Sequence, residues 1–282
     1  MKTETIKKNY GGLMKLAIWS NYYYDLSPED AVREFIKNGI YASELADEHG
    51  AMLLERGDDV KATGRAFGEF LAENGFDMTQ GHLWLYARIC TEPDAIEKLY
   101  KWIDLYEAVG VRNMVLHCDV LGFDESRYEE CAAKNIEKLK IVAEYIKDKD
   151  ITVCLENLGP EYVITSVDRI NYIIDQVGSD KLGICLDTGH LNLNDKDQKG
   201  FILKAGKRLR AIHIADNEGK RDQHMMPFTR GSVNFSEVVS ALREIGYDGL
   251  FNLEIPGESR IPLELRNAKL AFIESCYNYL MR

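Results

Sequence analysis

The 282-residue chain is defined first by what it lacks. No apolar stretch approaches 18 uninterrupted residues, so no membrane-spanning helix is expected. The six cysteines (90, 118, 131, 154, 185 and 276) form no CxxC pair and no closely spaced framework, which excludes a disulfide-stapled or cysteine-ligated zinc domain. Cys118, Cys154 and Cys185 lie inside apolar runs, where cysteine acts as a small core residue. Neither GxGxxG nor GxxxxGK[ST] follows any apolar run, so no nucleotide cofactor is expected. Basic residues are outnumbered 46 to 35 by acidic ones, a net charge of -11. Nucleic-acid binding draws on clustered Lys and Arg, so nucleic acid is not an expected partner. Residues 1–9 are basic but have no apolar core of the kind a secretory signal needs, and a cytoplasmic protein is expected.

No Pro/Gly/Ser-rich linker or charge block interrupts the chain, so residues 1–282 read as a single domain. What fills it is an alternation of short apolar runs and helical patterns. The runs at 13–20, 40–46, 77–85, 113–118, 151–157, 182–187, 209–214 and 249–255 read as strands. Ser27-Pro28-Glu29-Asp30 carries a helix-start signal, and Gly39, Gly75, Gly110 and Gly246 carry stop signals. Asp47–Gly50, including His49, reads as a polar loop. Eight strand-plus-helix units in this length fit a closed (β/α)8 barrel or an open doubly wound sheet. The missing glycine-rich strand-to-helix turn favours the barrel, with its site at the C-terminal face of the strands.

Histidines and carboxylates gather at those strand ends: His82, His117, Glu156, Asp187, His213 and Glu254 lie at or near the C-terminal ends of the third to eighth strands in order. Alternation places Thr152, Cys154 and Glu156 on one face of the fifth strand and Gly183, Cys185 and Asp187 on one face of the sixth. Ala211 pairs in the same way with His213, and Asn252 with Glu254. Two Glu, one Asp and one His make a hard, oxygen-rich set suited to Mn, Zn, Co or Mg, because a divalent cation is what makes three buried carboxylates tolerable. His190, Asp222 and His224, with His82 and His117, are candidates to extend it with additional ligands. Trp19 and Glu44 close the first two strands and, with Arg230, are candidate substrate contacts. Tyr22, Tyr23 and Tyr24 fit either the wall of a substrate site or rim packing.

The runs CLEN (154–157), CLDTGH (185–190), HIAD (213–216), DQH (222–224) and NLEI (252–255) together resemble the xylose-isomerase-like barrel superfamily, which contains sugar-phosphate isomerases and epimerases and the family 2 AP endonucleases. The resemblance implies a metal held by Glu156, Asp187, His213 and Glu254. For the isomerase and epimerase branch it also implies acid–base roles for Glu156 and Glu254, acting through an enediolate, with His190 orienting substrate. The expected activity is thus a divalent-metal-dependent sugar or sugar phosphate isomerase or epimerase, its partner a small sugar or polyol. A dehydratase or isomerase of inosose-like polyols is a further alternative. The endonuclease branch implies three zinc ions on nine residues, which match His82, His117, Glu156, Asp187, His190, His213, Asp222, His224 and Glu254. A phosphodiester hydrolase is therefore the main alternative, although the segment 19–25 does not resemble the histidine- and glycine-rich opening of those enzymes. Barrels of this type often form homo-oligomers, and one is expected as a possibility, with no particular helix surface singled out.

Overall fold

The computed structural model describes residues 14–119, 125–162 and 164–282. Eight parallel strands run in the order of the chain: β1 (Lys15–Trp19), β2 (Ala42–Leu45), β3 (Asp77–His82), β4 (Asn113–Leu116), β5 (Thr152–Glu156), β6 (Leu182–Asp187), β7 (Leu209–His213) and β8 (Leu250–Leu253). β8 pairs with β1 along four residues, and Ile214 bridges to Leu253 to bring β7 against β8. The sheet thereby closes into the expected (β/α)8 barrel. Leu13, the first residue of the first expected strand, lies outside the described residues. Several strands are shorter than their apolar runs. Ser20–Tyr23 leaves the sheet as a 3-10 turn, and β8 ends before Glu254.

Among the described residues ten α-helices accompany the barrel: α1 (Pro28–Lys37), α2 (Asp47–Leu54), α3 (Val60–Glu73), α4 (Ala95–Val109), α5 (Tyr128–Ile146), α6 (Val167–Val177), α7 (Thr188–Leu193), α8 (Gln198–Ala205), α9 (Phe235–Ile245) and α10 (Leu263–Leu280). Local chemistry sets many of their ends. Ser27 caps α1 through its Oγ, which accepts from Asp30 N at 3.1 Å, and Pro28 takes the first turn, where its missing N–H costs nothing. Gly110 and Gly246 end α4 and α9 in the left-handed conformation, which glycine adopts without a Cβ penalty. The polar stretch expected as a loop is instead the opening of α2. Its two acidic residues, Asp47 and Glu48, sit in the first turn, where negative charge meets the positive end of the helix dipole.

The two strand faces divide as their alternation predicts. Ile18, Leu45, Met114, Leu116, Val153, Leu155, Ile184, Leu186 and Ile212 are fully buried in the main core beneath the helices. Val115, Cys154, Cys185 and Ala211 form a separate, smaller cluster in the barrel interior. Small residues fill that interior because the facing strands leave little room at the axis. The six cysteines are free thiols, and all but Cys90 are buried. Among the described residues, no helix is long and apolar enough to cross a membrane.

Candidate metal centre

Register determines which side chains meet. β5 and β6 pair Glu156 with Cys185, and β6 and β7 set Asp187 directly beside His213. Glu254, one residue past β8, is tied to the same level by its N–H, which donates to Ile214 O at 3.1 Å. Ligand atoms of Glu156, Asp187, His213 and Glu254 consequently all lie within 4.8 Å of one another, and all four residues are buried.

The hydrogen bonds of these groups leave one face of the cluster unpaired. Asp187 caps α7: its Oδ1 accepts from His190 N at 2.6 Å, while its Oδ2 is buried with no partner. His213 Nε2 lies 2.9 Å from Glu44 Oε2, a pairing that holds the proton on Nε2 and would leave Nδ1 free to offer its lone pair to a cation. That Nδ1 also has no hydrogen bond, although Glu254 Oε2 and Glu156 Oε1 stand 3.2 and 3.3 Å away, and Glu254 Oε2 is likewise unpaired. Buried polar atoms are almost always satisfied. An imidazole nitrogen and two carboxylate oxygens left unpaired around one point are a donor set that a divalent cation completes.

Two triads adjoin this group of four. His82 and His117 approach Glu156 Oε2 at 3.5 and 3.0 Å and each other at 3.3 Å. On the other side, Asp222 Oδ2 lies 2.9 Å from His224 Nε2 and 3.4 Å from His190 Nε2. Each triad has ligand atoms within 4.8 Å of one another. His190 is oriented through Nδ1, 3.1 Å from Asn157 O and 3.2 Å from Glu156 Oε1. His224 is held by its Nδ1 at 2.9 Å from Glu254 O, in a left-handed backbone conformation (φ 42°) that is uncommon outside glycine. All nine sequence candidates are therefore gathered at one mouth of the barrel.

Electrostatics follow from this crowding. Burial would raise the Glu156 carboxyl, but His213, His117 and His190 outweigh it and hold the group well below the usual carboxylate range. Glu254 is held low in the same way by His213 and His224. Asp187 moves the other way, to about 7, because burial is reinforced by the neighbouring Glu254 and Glu156. Burial pulls the His82 ring down, yet Glu156 lifts it to about 9. The carboxylates thus borrow charge from imidazoles, a role a bound cation takes over.

The candidate substrate contacts divide. Trp19 stands at the mouth, its ring 6.4 Å from that of His224 and near-parallel to it. Glu44 is fully buried beneath the site: besides His213, it accepts from Gln80 Nε2 and from Asn252 Nδ2. From there its Oε2 orients His213, while its Oε1 is buried without a partner. Arg230 stands in solvent with Nε 3.7 Å from Glu218, so its guanidinium reaches a carboxylate and not the triads. Tyr22 and Tyr23 pack at the rim, their hydroxyls donating to Arg266 O (2.7 Å) and Asn267 Oδ1 (2.6 Å) on α10. His49 is a buried structural histidine, 2.9 Å from Ser20 Oγ and 3.3 Å from Leu26 O.

Several supporting residues went unassigned in the sequence. Gln80 and Asn252 stand two residues before His82 and Glu254, on the same strand faces, so period-2 alternation marks them as the layer beneath the ligands. Asn157 locks β5 to β6, accepting from Asp187 N (2.8 Å) and donating to Asp187 O (2.9 Å). Asp216 fixes the loop that carries Asp222 and His224 through a two-way backbone pairing with Met225, and its Oδ1 accepts from Asn217 N and Val233 N.

Fold and donor set define an α/β barrel with candidate metal-ligand groups gathered at the C-terminal ends of its strands. The family model for xylose isomerase-like TIM barrels matches residues 38–276, and the chain belongs to that family. It is 29% identical to the D-psicose 3-epimerase of Enterocloster bolteae over 125 residues, 44% of this chain and 38% of that protein. It is 32% identical to a probable endonuclease 4 of Metamycoplasma arthritidis over 127 residues, 41% of this chain and 45% of that protein. The chain spans about half the length of the curated relatives it matches. A crystal structure of D-psicose 3-epimerase determined in the presence of D-fructose shares the fold with a TM-score of 0.77, 16% identity, and coverage of 95% of this chain and 99% of that one.

Proposed function

We propose that the protein is a divalent-metal-dependent sugar isomerase or epimerase, with Glu156, Asp187, His213 and Glu254 as the principal ligands. The observation that carries this reading is the set of unpaired Asp187 Oδ2, His213 Nδ1 and Glu254 Oε2 between two ionised glutamates. Sequence similarity to a ketose 3-epimerase supports the substrate class. When bound, the cation supplies Lewis acidity that polarises a carbonyl and stabilises charge developing on its oxygen.

The chain's own groups do the rest. Both glutamates are ionised at neutral pH, the state that proton abstraction needs. Glu254 is the more accessible, its side chain 9% exposed against 1% for Glu156, so Glu254 takes the proton from the carbon beside the carbonyl. Glu156, fixed among four imidazoles, delivers to the other side a proton passed to it by the His82 ring, and the proton left on Glu254 returns to solvent to reset the pair. His190 orients a substrate oxygen, and the Trp19 ring forms a wall that excludes water from the reacting face.

The second reading, metal-dependent phosphodiester hydrolysis, is favoured by the completeness of the other two triads and by the similarity to endonuclease 4. It needs no exchange of a carbon-bound proton. Incubation in heavy water with a panel of ketoses, ketose phosphates and inosose-like polyols, beside an abasic-site DNA duplex, separates the two. Deuterium entering a sugar at the reacting carbon is the result the first reading requires. DNA nicking without any sugar exchange overturns it in favour of the second.

A further inference from the structure

The mouth of the barrel opposite the metal centre is also open. At the N-terminal ends of β4 to β7 lies a cleft of about 760 Å³, within the size range of small-molecule sites. Its walls carry five basic side chains, Arg112, Lys181, Lys207, Arg208 and Arg210, against three acidic ones, Asp150, Asp175 and Asp180. This is a local excess of positive charge in a chain whose net charge is -11. Three of the cations are already engaged. Arg112 Nε lies 3.4 Å from Asp150, Arg208 donates to Asp175 (2.6 Å) and Asn171 (2.7 Å), and Lys181 Nζ donates to Lys149 O at 2.7 Å. Arg210 and Lys207 have no hydrogen-bond or ion-pair partner among the described residues.

The backbone places Arg210 there. β6 and β7 pair Ile184 with Leu209 and then Cys185 with Ala211, so Arg210 is the extra residue of a β-bulge, a device that re-aims a side chain. Leu209 joins the core beneath the helices and Ala211 the interior cluster. The arginine stem crosses the floor of the barrel over Gly183: a Cβ on that glycine would stand 2.8 Å from Arg210 Cγ and 3.0 Å from Thr152 Cγ2. Bulge and glycine together deliver a guanidinium to the cleft with no carboxylate to receive it. The rigid fork of donors on arginine matches a phosphate group bidentately.

Charge is spread unevenly around the cleft. On the β7 side Lys207, Arg208 and Arg210 follow one another closely, and Asp175 is taken up by Arg208. On the β4 and β5 side Arg112 is matched by Asp150, and Asn113 and Thr152 offer neutral polar groups. We propose that the cleft binds a small organic phosphate, its phosphate group on Arg210 and Lys207 and its hydroxyl-bearing remainder against Asn113 and Thr152. A single phosphate ion fills only part of about 760 Å³, which favours an ester over the free ion. His213 lies three residues beyond Arg210 on the same strand, about 10 Å away, so this site is separate from the metal centre and does not depend on the sugar reading.

Arginine-selective modification of the full chain by phenylglyoxal, mapped by peptide mass spectrometry at constant ionic strength, tests the proposal. It reads Arg210 itself and is blind to anions held at the opposite mouth. Ribose 5-phosphate protects Arg210, and does so at lower concentration than inorganic phosphate, while the exposed Arg33 on α1 stays equally reactive throughout. Lys207→Gln, an exposed change that leaves Arg210 in place, raises the half-protecting concentration by about two- to fivefold, the loss of one solvent-open charge contact. Arg210 modified at the same rate with and without the ester, equal protection by inorganic phosphate, or protection indifferent to Lys207→Gln overturns the proposal.

Discussion

Glu44 and His213 lie 169 residues apart in the chain, yet Glu44 Oε2 sits 2.9 Å from His213 Nε2, and both side chains are fully buried. The pair decides which imidazole nitrogen faces the metal centre. A carboxylate behind a ligating histidine fixes its tautomer and raises its basicity. Replacing Glu44 by Gln keeps the shape and removes the charge. Metal affinity should then fall by about 10- to 100-fold, measured by competition with a chromogenic chelator, while the circular dichroism spectrum stays unchanged. An unaltered affinity would remove Glu44 from this role.

Metal analysis addresses the ligands directly. The purified protein should retain at least one divalent ion per chain, and Glu254→Ala and His213→Ala should each deplete it. Chelation should lower the melting temperature. Ligand linkage contributes about 2.7 kcal/mol when the free ion stands at about 100 times its Kd. If both variants hold the same metal content as the unmodified protein, the four-ligand assignment fails.

The two glutamates are separable by isotope exchange. Glu254→Gln and Glu156→Gln should each slow deuterium incorporation into a ketose substrate by about 10²-fold or more, as loss of an acid–base group does. Glu156 is also tied to His82 and His117, so its variant should additionally weaken an ion at that triad. A variant that holds metal and exchanges at the original rate has no acid–base role.

Gly231 is packed against the Asp216 carboxylate so closely that a Cβ there would collide with it. Asp216 anchors the loop bearing Asp222 and His224. Gly231→Ala should therefore lower occupancy at the triad of His190, Asp222 and His224 while sparing Glu156, Asp187, His213 and Glu254. Metal stoichiometry by mass spectrometry reads the difference; equal loss at both would show that the loop is not the element disturbed.

Burial holds the His49 ring below its ordinary pKa of 6.5, so the folded protein keeps it neutral. The unfolded chain takes up a proton as pH drops through about 6.5, and the folded state does not follow until lower pH. Stability from this site is thus complete above that value and is lost as pH falls below it. Urea unfolding in the presence of chelator should show the gap between the unmodified protein and His49→Gln narrowing from pH 7.5 to pH 5.5. A gap that is constant across this range would place the His49 titration elsewhere.

Alternation along single strands was legible without any structure, because side chains two residues apart must share a face. Cys154 with Glu156, Cys185 with Asp187, and Asn252 with Glu254 each announced an interior column topped by a ligand. Asp187 with His190 was legible too, since an N-cap and the third residue of its helix are tied by local geometry. The opening of α2 reads as a loop in the sequence because short polar segments carry no apolar periodicity; the tertiary packing of His49 and Leu53 adds to its acidic first turn in making it helical.

What local sequence could not decide was which distant residues meet beneath the mouth. Glu44 reads as one carboxylate at the end of a strand, equally suited to substrate, cation or salt bridge. Only closure of the barrel, which places β2 across the interior from β7, makes it the partner of His213. The sequence determined the periodicities, caps and donor chemistry, because these act over a few residues. Register and closure decided the roles, because hydrogen bonding and burial in the barrel interior act between residues that the chain itself holds far apart.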